Sequence, residues 1–483
     1  MERRNILIIL TDQLAWRALD IYGAQYGSTP AINSICRGAA VFDSCYTPCP
    51  LCQPARASFW TGIYPHETNV LSNGMKWPVE PVSESIKTIG EVFRNAGYRT
   101  VHFGKKHDAG SLRGFDCAEE DQLPVEDPDW PLNNDTFKDR YTAEEIVKFW
   151  GGLKYGHDND NPVFMIADFV NPHNICGYVG NYAGAHENPA VINLPELPPN
   201  FEFSDINNRP LPVQYICCSH NRQAQAAEWT PENYRHYLAA YYRYINYADS
   251  EIKKVLDALE KSGRAKDTLI IFTSDHGDSM ASRRRVTKDV DFYDEVTRVP
   301  LVFKGPGVKD LYIKGKPVSL LDLFPTLCGY CGLAIPAELR GKDLSNTIRG
   351  SGLPAREYVV SQWHTEWGYT VEPGRMLVTD RYKYIKYACA KDDSKAEEFY
   401  DLGSDPWEIT NQVSNPEYAQ ALENCRAMFR SYLEETGDNF ENLEFCADPM
   451  WHSHKPGYEN HEGPAAPAWS WEKYGRPGQD GKR

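Results

Sequence analysis

The sequence lacks both a long apolar segment and an excess of basic residues. Its 51 lysines and arginines are outnumbered by 67 aspartates and glutamates, which gives a formal net charge of −16 over 483 residues. Proteins that bind nucleic acids or anionic membranes usually present a broad basic surface, so this balance argues against both classes. No stretch approaches the roughly 18 apolar residues that a membrane-spanning helix needs.

Cysteine is also sparse. The chain has 13 cysteines, an odd number that lies far below the density of a disulfide-stapled secreted protein. The apolar run that follows the basic start, Ile6 to Leu10, is shorter than the roughly 7–15 residues of a signal-peptide core. We therefore expect a cytoplasmic protein whose cysteines are reduced.

Short apolar runs alternate with helical patterns along the first 350 residues. Strands are predicted at 5–10, 99–103, 162–168, 268–273 and 299–303, and helices at 85–96 and 237–259. Because most of these strand runs are continuously apolar, they are typical of strands covered on both faces. The pattern predicts an α/β fold with a large, mostly parallel central sheet flanked by helices.

The pattern changes after Gly350-Ser-Gly-Leu-Pro354, where strands such as 381–387 are shorter and alternate in polarity. Alternation with a period of two is typical of an antiparallel sheet with one covered face. We predict a large N-terminal domain over 1–352 and a smaller C-terminal α+β subdomain over 353–483, with an irregular tail from about residue 448.

Polar side chains of the kinds that bind metals or anions follow the predicted strands where these end. They are Asp12 and Gln13, Lys105 and His107, His173, and Asp275 and His276. Ligands of open α/β sheets bind at the carboxyl ends of the strands, so these side chains predict one shared site.

The strongest local pattern is Cys52-Gln-Pro-Ala-Arg56, followed by Ala-Ser-Phe-Trp-Thr-Gly62. Pro54 suits the first turn of a helix. Cys52 then lies at the helix N-terminus, where the dipole favours negative charge. Taken alone, a cysteine before a helix is more often an ordinary buried residue. A zinc or redox pair of Cys49-x-x-Cys52, with Cys328-x-x-Cys331 as a second pair, is another alternative, but the apolar sequence around Cys328 favours a core helix.

The Cys-x-Pro-Ala-Arg motif and the helix after it resemble the signature of the type I sulfatases, in the alkaline-phosphatase-like superfamily. Five further motifs resemble elements of that family in the same order: 5–12, 104–107, 273–277, Lys288 with 293–300, and 399–411. The resemblance implies an alkaline-phosphatase-like fold. It also implies that a formylglycine-generating maturase converts Cys52 to formylglycine, the catalytic aldehyde.

The resemblance further implies a divalent-metal site formed by Asp12, Gln13, Asp275, His276 and the modified residue 52. Oxygen-rich ligands favour Ca²⁺, whereas the imidazole of His276 keeps Mg²⁺ or Mn²⁺ open. Many members of the family carry a second aspartate where this chain has Gln13, so one negative charge is missing.

The resemblance assigns the catalytic steps to a cationic set around the sulfate. Arg56, Lys105 and Lys288 stabilise charge on the transferring sulfuryl group. The hydrated aldehyde attacks sulfur, and His173 or Lys288 protonates the leaving alcohol. His107 then accepts the proton that allows the second hydroxyl to expel sulfate.

Residues that contact the rest of the substrate are predicted from residue type alone. Asn73 is a candidate for the sulfate, and Arg283, in a run of three arginines, is a candidate for a second anionic group. Candidates for the sugar are His220 and Arg222 in one loop, and Trp363 and His364 in another.

Three functions follow as hypotheses. The first is a sulfuric ester hydrolase acting on a small sulfated mono- or oligosaccharide, such as one derived from a glycosaminoglycan or a mucin. The second is a phosphonate monoester hydrolase or phosphodiesterase that uses the same formylglycine site. The third is a sulfated-glycan-binding protein with an unmodified Cys52. The complete set of metal-binding and cationic residues favours an enzyme over a binding protein.

Overall fold

The computed structural model describes residues 4–73, 81–117, 134–152, 161–181, 193–202, 209–210, 212–213, 223, 226, 229–288, 291–364, 373–388 and 396–442. Among these residues, no helix combines the length and the apolar character needed to cross a bilayer. The irregular tail predicted from about residue 448 lies outside the described residues, and the predicted domain boundary at 352/353 stays a prediction.

The large sheet has nine strands within the described residues. They are β1 (Asn5–Asp12), β2 (Ala40–Tyr46), β3 (Arg99–Gly104), β4 (Asp116–Cys117), β5 (Val163–Pro172), β6 (Thr268–Ser274), β7 (Arg298–Lys304), β8 (Leu311–Ile313) and β9 (Val318–Ser319). Eight follow the order β4-β3-β5-β1-β6-β7-β2-β8, and β9 pairs with β2. Strand β7 is antiparallel to both neighbours, and the other pairs are parallel. The mostly parallel sheet predicted from the sequence is therefore confirmed.

Helices cover both faces of this sheet. They are α1 (Pro30–Cys36), α2 (Cys52–Thr61), α3 (Pro65–Thr68), α4 (Ile89–Asn95), α5 (Asn134–Trp150), α6 (Ile175–Asn181), α7 (Pro231–Lys261), α8 (Asp294–Thr297) and α9 (Leu323–Cys331). The sequence of strand β1 is continuously apolar because both of its faces are covered. Ile6, Ile8 and Leu10 pack into the core on one face of the sheet, and Leu7 and Ile9 pack into the core on the other.

Capping residues shift the predicted helix boundaries. Helix α4 begins at Ile89 rather than at residue 85, because the Thr88 side chain accepts a hydrogen bond from the Glu91 N–H and the Glu91 carboxylate accepts one from the Thr88 N–H. Helix α7 begins earlier than predicted, at Pro231, after a cap at Thr230. Cys328 is buried in helix α9, which confirms the core position favoured for it.

The C-terminal part forms a separate antiparallel sheet of four strands in sequential order, as predicted. They are β10 (Val359–Trp363), β11 (Gly374–Val378), β12 (Tyr382–Tyr387) and β13 (Glu397–Asp401). One face packs against α10 (Ala419–Thr436), where the rings of Tyr384 and Phe429 lie 5.4 Å apart. The other face contributes Met376 and Ile385 to the core shared with the large sheet.

Candidate active site

The site lies where the carboxyl ends of four parallel strands meet. Asp168 on β5 is level with Leu10 on β1 and with Gly104 on β3, and Thr11 on β1 is level with Ser274 on β6. The segments that leave these strands therefore start side by side. The first turn of helix α2 packs against the same edge and brings Cys52 to their side chains.

Cys52 is the first residue of helix α2, and its side chain is buried. Its Sγ lies 2.8 Å from Lys288 Nζ, 3.2 Å from His276 Nε2 and 3.8 Å from Asp12 Oδ1. Burial alone would raise the pKa of the Cys52 thiol, but Lys105, Lys288 and His276 lower the pKa well below its usual value. The surroundings of position 52 therefore stabilise a negative charge there.

Asp12, Cys52, Asp275 and His276 each offer a ligand atom, and these four atoms lie within 4.8 Å of one another in a fully buried group. Burial and the neighbouring Asp12 raise the pKa of Asp275 to about 6. Two carboxylates in one buried site repel each other unless a cation compensates them. Carboxylate oxygens with one imidazole suit a divalent cation, so the donor set fits the metal that the sequence predicts.

Arg56 binds the carboxylates of this group directly. Its Nε donates to Asp275 at 2.9 Å, its Nη1 to Asp168 at 2.6 Å and its Nη2 to Asp12 at 3.2 Å. The guanidinium is buried, and its fork of donors meets three separate carboxylates. Arg56 thus orients two of the metal-binding carboxylates, whereas the family resemblance predicts that it stabilises charge on the transferring sulfuryl group.

Asp168 and His102 belong to this network, although no sequence motif predicted them. Asp168 Oδ2 accepts the bond from Arg56 and lies 3.3 Å from His102 Nε2. Burial would lower the pKa of His102, but its hydrogen bond with Asp168 raises the pKa to about 9. Each residue lies in the buried part of its strand. A lone carboxylate within a buried strand is the signal that could have identified Asp168.

The cations and imidazoles predicted from the strand ends converge on position 52. Lys105 Nζ donates to Asp12. His107 and His173 lie beside Cys52: His107 helps to lower the pKa of the thiol, and Cys52 acts against the lowering of the His173 pKa. Burial, together with Lys288 and Lys105, lowers the pKa of His173 to about 3. His173 is therefore a neutral imidazole at neutral pH, with one N–H and one lone pair available.

Gln13 lies beside the metal-binding group, but its side-chain amide is engaged elsewhere. Its Nε2 donates to Asp278 Oδ2 at 2.8 Å, and its Oε1 accepts from the Cys176 thiol at 3.3 Å. A carboxylate can only accept hydrogen bonds, so the amide nitrogen must face Asp278 and the oxygen turns towards Cys176. This arrangement does not support the predicted ligand role for Gln13. Its backbone N–H instead orients Asp275 Oδ1, at 3.1 Å.

Arg283 is buried in packing contacts, which does not support its predicted role in binding an anionic group. Its guanidinium lies 3.5 Å from the ring centre of Tyr293, and its Nη1 lies 3.5 Å from a carboxylate oxygen of Glu295. Its Nη2 also donates to the carbonyl of Glu408 at 2.9 Å. These contacts link the segment before Lys288 to the C-terminal part of the chain.

The structure describes three of the other residues that were predicted to bind the substrate: Asn73, Trp363 and His364. Asn73 Oδ1 accepts the Gln53 N–H at 3.0 Å and so caps the first turn of helix α2. Trp363 lies in the main core, and His364 is buried with its Nε2 3.0 Å from Arg375 Nη2. These positions do not support direct sugar contacts by Trp363 and His364. His220 and Arg222 lie outside the described residues.

Two family models together match nearly all of the residues that the structure describes. Residues 4–333 match the family model described as "Sulfatase". Residues 288–435 match a second model, described as "N-sulphoglucosamine sulphohydrolase, C-terminal". The two matches overlap over residues 288–333 and together span both sheets.

Individual relatives agree with these family matches. The chain is 44% identical over 473 residues to a Δ4,5-hexuronate-2-O-sulfatase of Bacteroides thetaiotaomicron, covering 96% of each chain. A solved structure of a 2-O GAG sulfatase superimposes with a TM-score of 0.86 at 43% identity, covering 96% of this chain and 99% of that one. A phosphonate monoester hydrolase of Agrobacterium radiobacter reaches a TM-score of 0.72 at 21% identity, over 90% and 96% of the two chains, which shows a shared fold alone.

Proposed function

Because this chain belongs to the sulfatase family, we propose that its substrate is an oligosaccharide from a glycosaminoglycan, with a 2-O-sulfated, Δ4,5-unsaturated hexuronate at its non-reducing end. The chain is a sulfuric ester hydrolase that acts on sulfated carbohydrate. The observation that carries the choice of sugar is the 44% identity, over 96% of both chains, to a relative named for this activity.

The chemistry of that sugar implies action at a chain end. A hexuronate with a double bond between C4 and C5 has no oxygen at C4 through which another sugar could be attached. It can therefore only be the terminal residue of an oligosaccharide. An enzyme that recognises it removes sulfate from the end of a short chain, which agrees with the small sulfated substrate expected from the sequence.

We further propose that Ca²⁺ is the metal, held by Asp12, Asp275, His276 and residue 52, and that a maturase converts Cys52 to formylglycine. Formylglycine supplies a hydrated aldehyde whose oxygen is the nucleophile. Lys105 and Lys288 hold positive charge beside position 52, where the sulfate oxygens gain negative charge during transfer. His107 and His173 contact residue 52 and can move protons there.

A panel of defined disaccharides tests the proposed substrate. We expect sulfate release from an unsaturated disaccharide with a single sulfate on O2 of the hexuronate. For isomers that carry the sulfate on O6 or N of the glucosamine, we expect kcat/KM to be lower by a factor on the order of 10³ or more, because these groups reach position 52 only in a misplaced pose. Ion chromatography of released sulfate gives the rates. Equal rates on the isomers would contradict the proposed position.

Two controls separate this proposal from its alternatives. The mass of the peptide that carries residue 52 must first show the aldehyde, so that a negative result is not due to unconverted enzyme. An aryl phosphonate monoester is then compared with an aryl sulfate. Faster hydrolysis of the phosphonate would favour the phosphonate hydrolase hypothesis. Faster release from long chains than from disaccharides would contradict action at the chain end.

Removal of divalent metal should lower both activity and thermal stability. A chelator removes the divalent charge beside Asp12 and Asp275, and Arg56 alone then bridges the two carboxylates. Adding back a metal that binds only the folded state stabilises it by about 2.7 kcal/mol at a hundredfold excess over Kd. We expect Tm to rise by several degrees on addition of Ca²⁺ to chelated protein, by scanning calorimetry. The Asp275→Asn variant should lose this rise, and an equal rise in that variant would place the metal elsewhere.

A further inference from the structure

Helix α7 places three buried tyrosines on the face that it turns towards the active-site loops. Tyr234, Tyr237 and Tyr241 are three and four residues apart, so they lie on one side of the helix. All three rings are 0–1% exposed. Their hydroxyls bind two loops that carry active-site residues, residues 279–288 (the lysine loop) and residues 13–15 (the glutamine loop).

The lysine loop has a backbone that is unfavourable for its own sequence. Residues in the left-handed region, none of them glycine, are Met280, Ala281, Arg283, Arg284 and Thr287. Side chains with a Cβ disfavour this conformation, so contacts from elsewhere must hold it. The loop ends at Lys288, whose Nζ lies 2.8 Å from Cys52 Sγ. A shift of the loop would therefore move the charge that faces position 52.

The Tyr237 hydroxyl connects this loop to the metal-binding group. It accepts the Thr287 N–H at 2.7 Å and donates to Asp278 Oδ1 at 2.6 Å. The other oxygen of Asp278 accepts from Gln13 Nε2 at 2.8 Å, and the Gln13 N–H donates to Asp275 Oδ1 at 3.1 Å. Hydrogen bonds of Tyr237, Asp278 and the two ends of Gln13 thus connect the residue before Lys288 to a metal-binding carboxylate.

The neighbouring tyrosines hold the two loops from the same helix. The Tyr234 hydroxyl donates to the Arg284 carbonyl at 2.6 Å. The Tyr241 hydroxyl donates to the Gln13 carbonyl at 2.7 Å and accepts the Ala15 N–H at 2.9 Å. Gln13 is also in the left-handed region, with φ 70°. Each hydroxyl therefore binds backbone at or next to a residue whose conformation is unfavourable.

We propose that Tyr234, Tyr237 and Tyr241 form a clamp that fixes the lysine loop and the glutamine loop relative to each other, and that Tyr237 is a positioning residue acting through Lys288. The ring of Tyr237 fills the core, whereas its hydroxyl joins the two halves of the site. Removing that single oxygen should keep the fold and loosen the placement of Lys288. The inference rests on the sulfatase reaction and does not depend on which sugar is the substrate.

The Tyr237→Phe variant tests the clamp. With converted enzyme and an aryl sulfate, we expect kcat to fall by about 10- to 100-fold, because Lys288 no longer meets the transferring group at a fixed distance. The matched control is Tyr242→Phe on the same helix, whose ring packs against Tyr26 at 5.1 Å between ring centres. This control should retain the wild-type kcat. Equal kcat values for the two variants would overturn the proposal.

A second measurement separates positioning of Lys288 from a general loss of stability. Inorganic sulfate is bound to unconverted protein, and its affinity is obtained from the sulfate-dependent rise in Tm. Tyr237→Phe should weaken sulfate binding in the wild-type background and have no further effect in the Lys288→Ala background, since coupled residues are not additive. The same loss in both backgrounds would overturn the proposal. Because this readout needs no turnover, it stands even if the proposed sugar is wrong.

Discussion

Replacing Cys52 by alanine is expected to abolish sulfate release, with a loss in kcat on the order of 10⁴-fold or more. Cys52 Sγ lies 2.8 Å from Lys288, 3.2 Å from His276 and 3.8 Å from Asp12, so these three side chains face the position of the nucleophile. The lysines and the metal-binding carboxylates stay in place in the variant. Activity on an aryl sulfate and Tm by scanning calorimetry give the result, with kcat lost and the fold retained.

Cys49 provides the control because it is equally buried but lies in a different electrostatic environment. It stands three residues before Cys52, outside helix α2, and burial raises the pKa of its thiol, whereas the lysines lower the pKa of Cys52. Cys49→Ala should therefore keep kcat within a few-fold of the wild type. Turnover by Cys52→Ala, or an active wild-type preparation whose residue-52 peptide carries an unmodified thiol, would contradict formylglycine catalysis.

Several site residues could be predicted because they stand next to a local signal. Lys105, His107 and His173 each follow a buried strand, and the structure brings all three to Asp12 or Cys52. Parallel strands end at the same edge of the sheet, so polar residues placed directly after several strands are sufficient to predict that their side chains converge. The antiparallel C-terminal sheet was predicted from the alternating polarity of its strands, although the structure covers both of its faces, one with α10 and the other with the core shared with the large sheet.

Residues that act across elements leave no comparable signal. Asp168 and His102 are polar residues inside buried strands, and they meet only because β3 and β5 are neighbours. Tyr237 is one of several tyrosines in helix α7. Which hydroxyl reaches the lysine loop depends on how the helix is rotated against the sheet. That rotation is set by packing between distant segments, which local sequence does not encode.

Arg283 shows the opposite error, in which a local signal predicted a function that its position does not support. A run of three arginines before Lys288 resembles an exposed anion site. The left-handed backbone of Arg283 directs its guanidinium onto the Tyr293 ring and towards Glu295 instead. A buried cation needs such partners, and here they are supplied by residues outside the run of arginines.

Replacing Arg56 by glutamine is expected to cause the largest loss of stability of any change considered. Arg56 donates to Asp12, Asp168 and Asp275, all buried with it. Glutamine carries no charge and too few donors for three carboxylates, so it leaves buried negative charges uncompensated. Breaking a buried ion pair in this way destabilises a protein by about 3–5 kcal/mol. Urea unfolding in the presence of a chelator measures the loss without a contribution from metal.

The loss should also grow with pH, which distinguishes it from a simple packing defect. Without Arg56, the pKa of Asp275, which burial and Asp12 already raise to about 6, rises further above its value in the unfolded chain. A raised folded pKa contributes stability at low pH that is lost as pH rises through that pKa. The variant should therefore be closest to wild type in stability near pH 5 and furthest from it near pH 8.

The control variant Arg340→Gln breaks the half-exposed pair with Glu67, in which the two side chains are 36% and 18% exposed. It should lose no more than about 1 kcal/mol of stability. A pH-independent loss in Arg56→Gln would mean that the three carboxylates do not depend on this guanidinium.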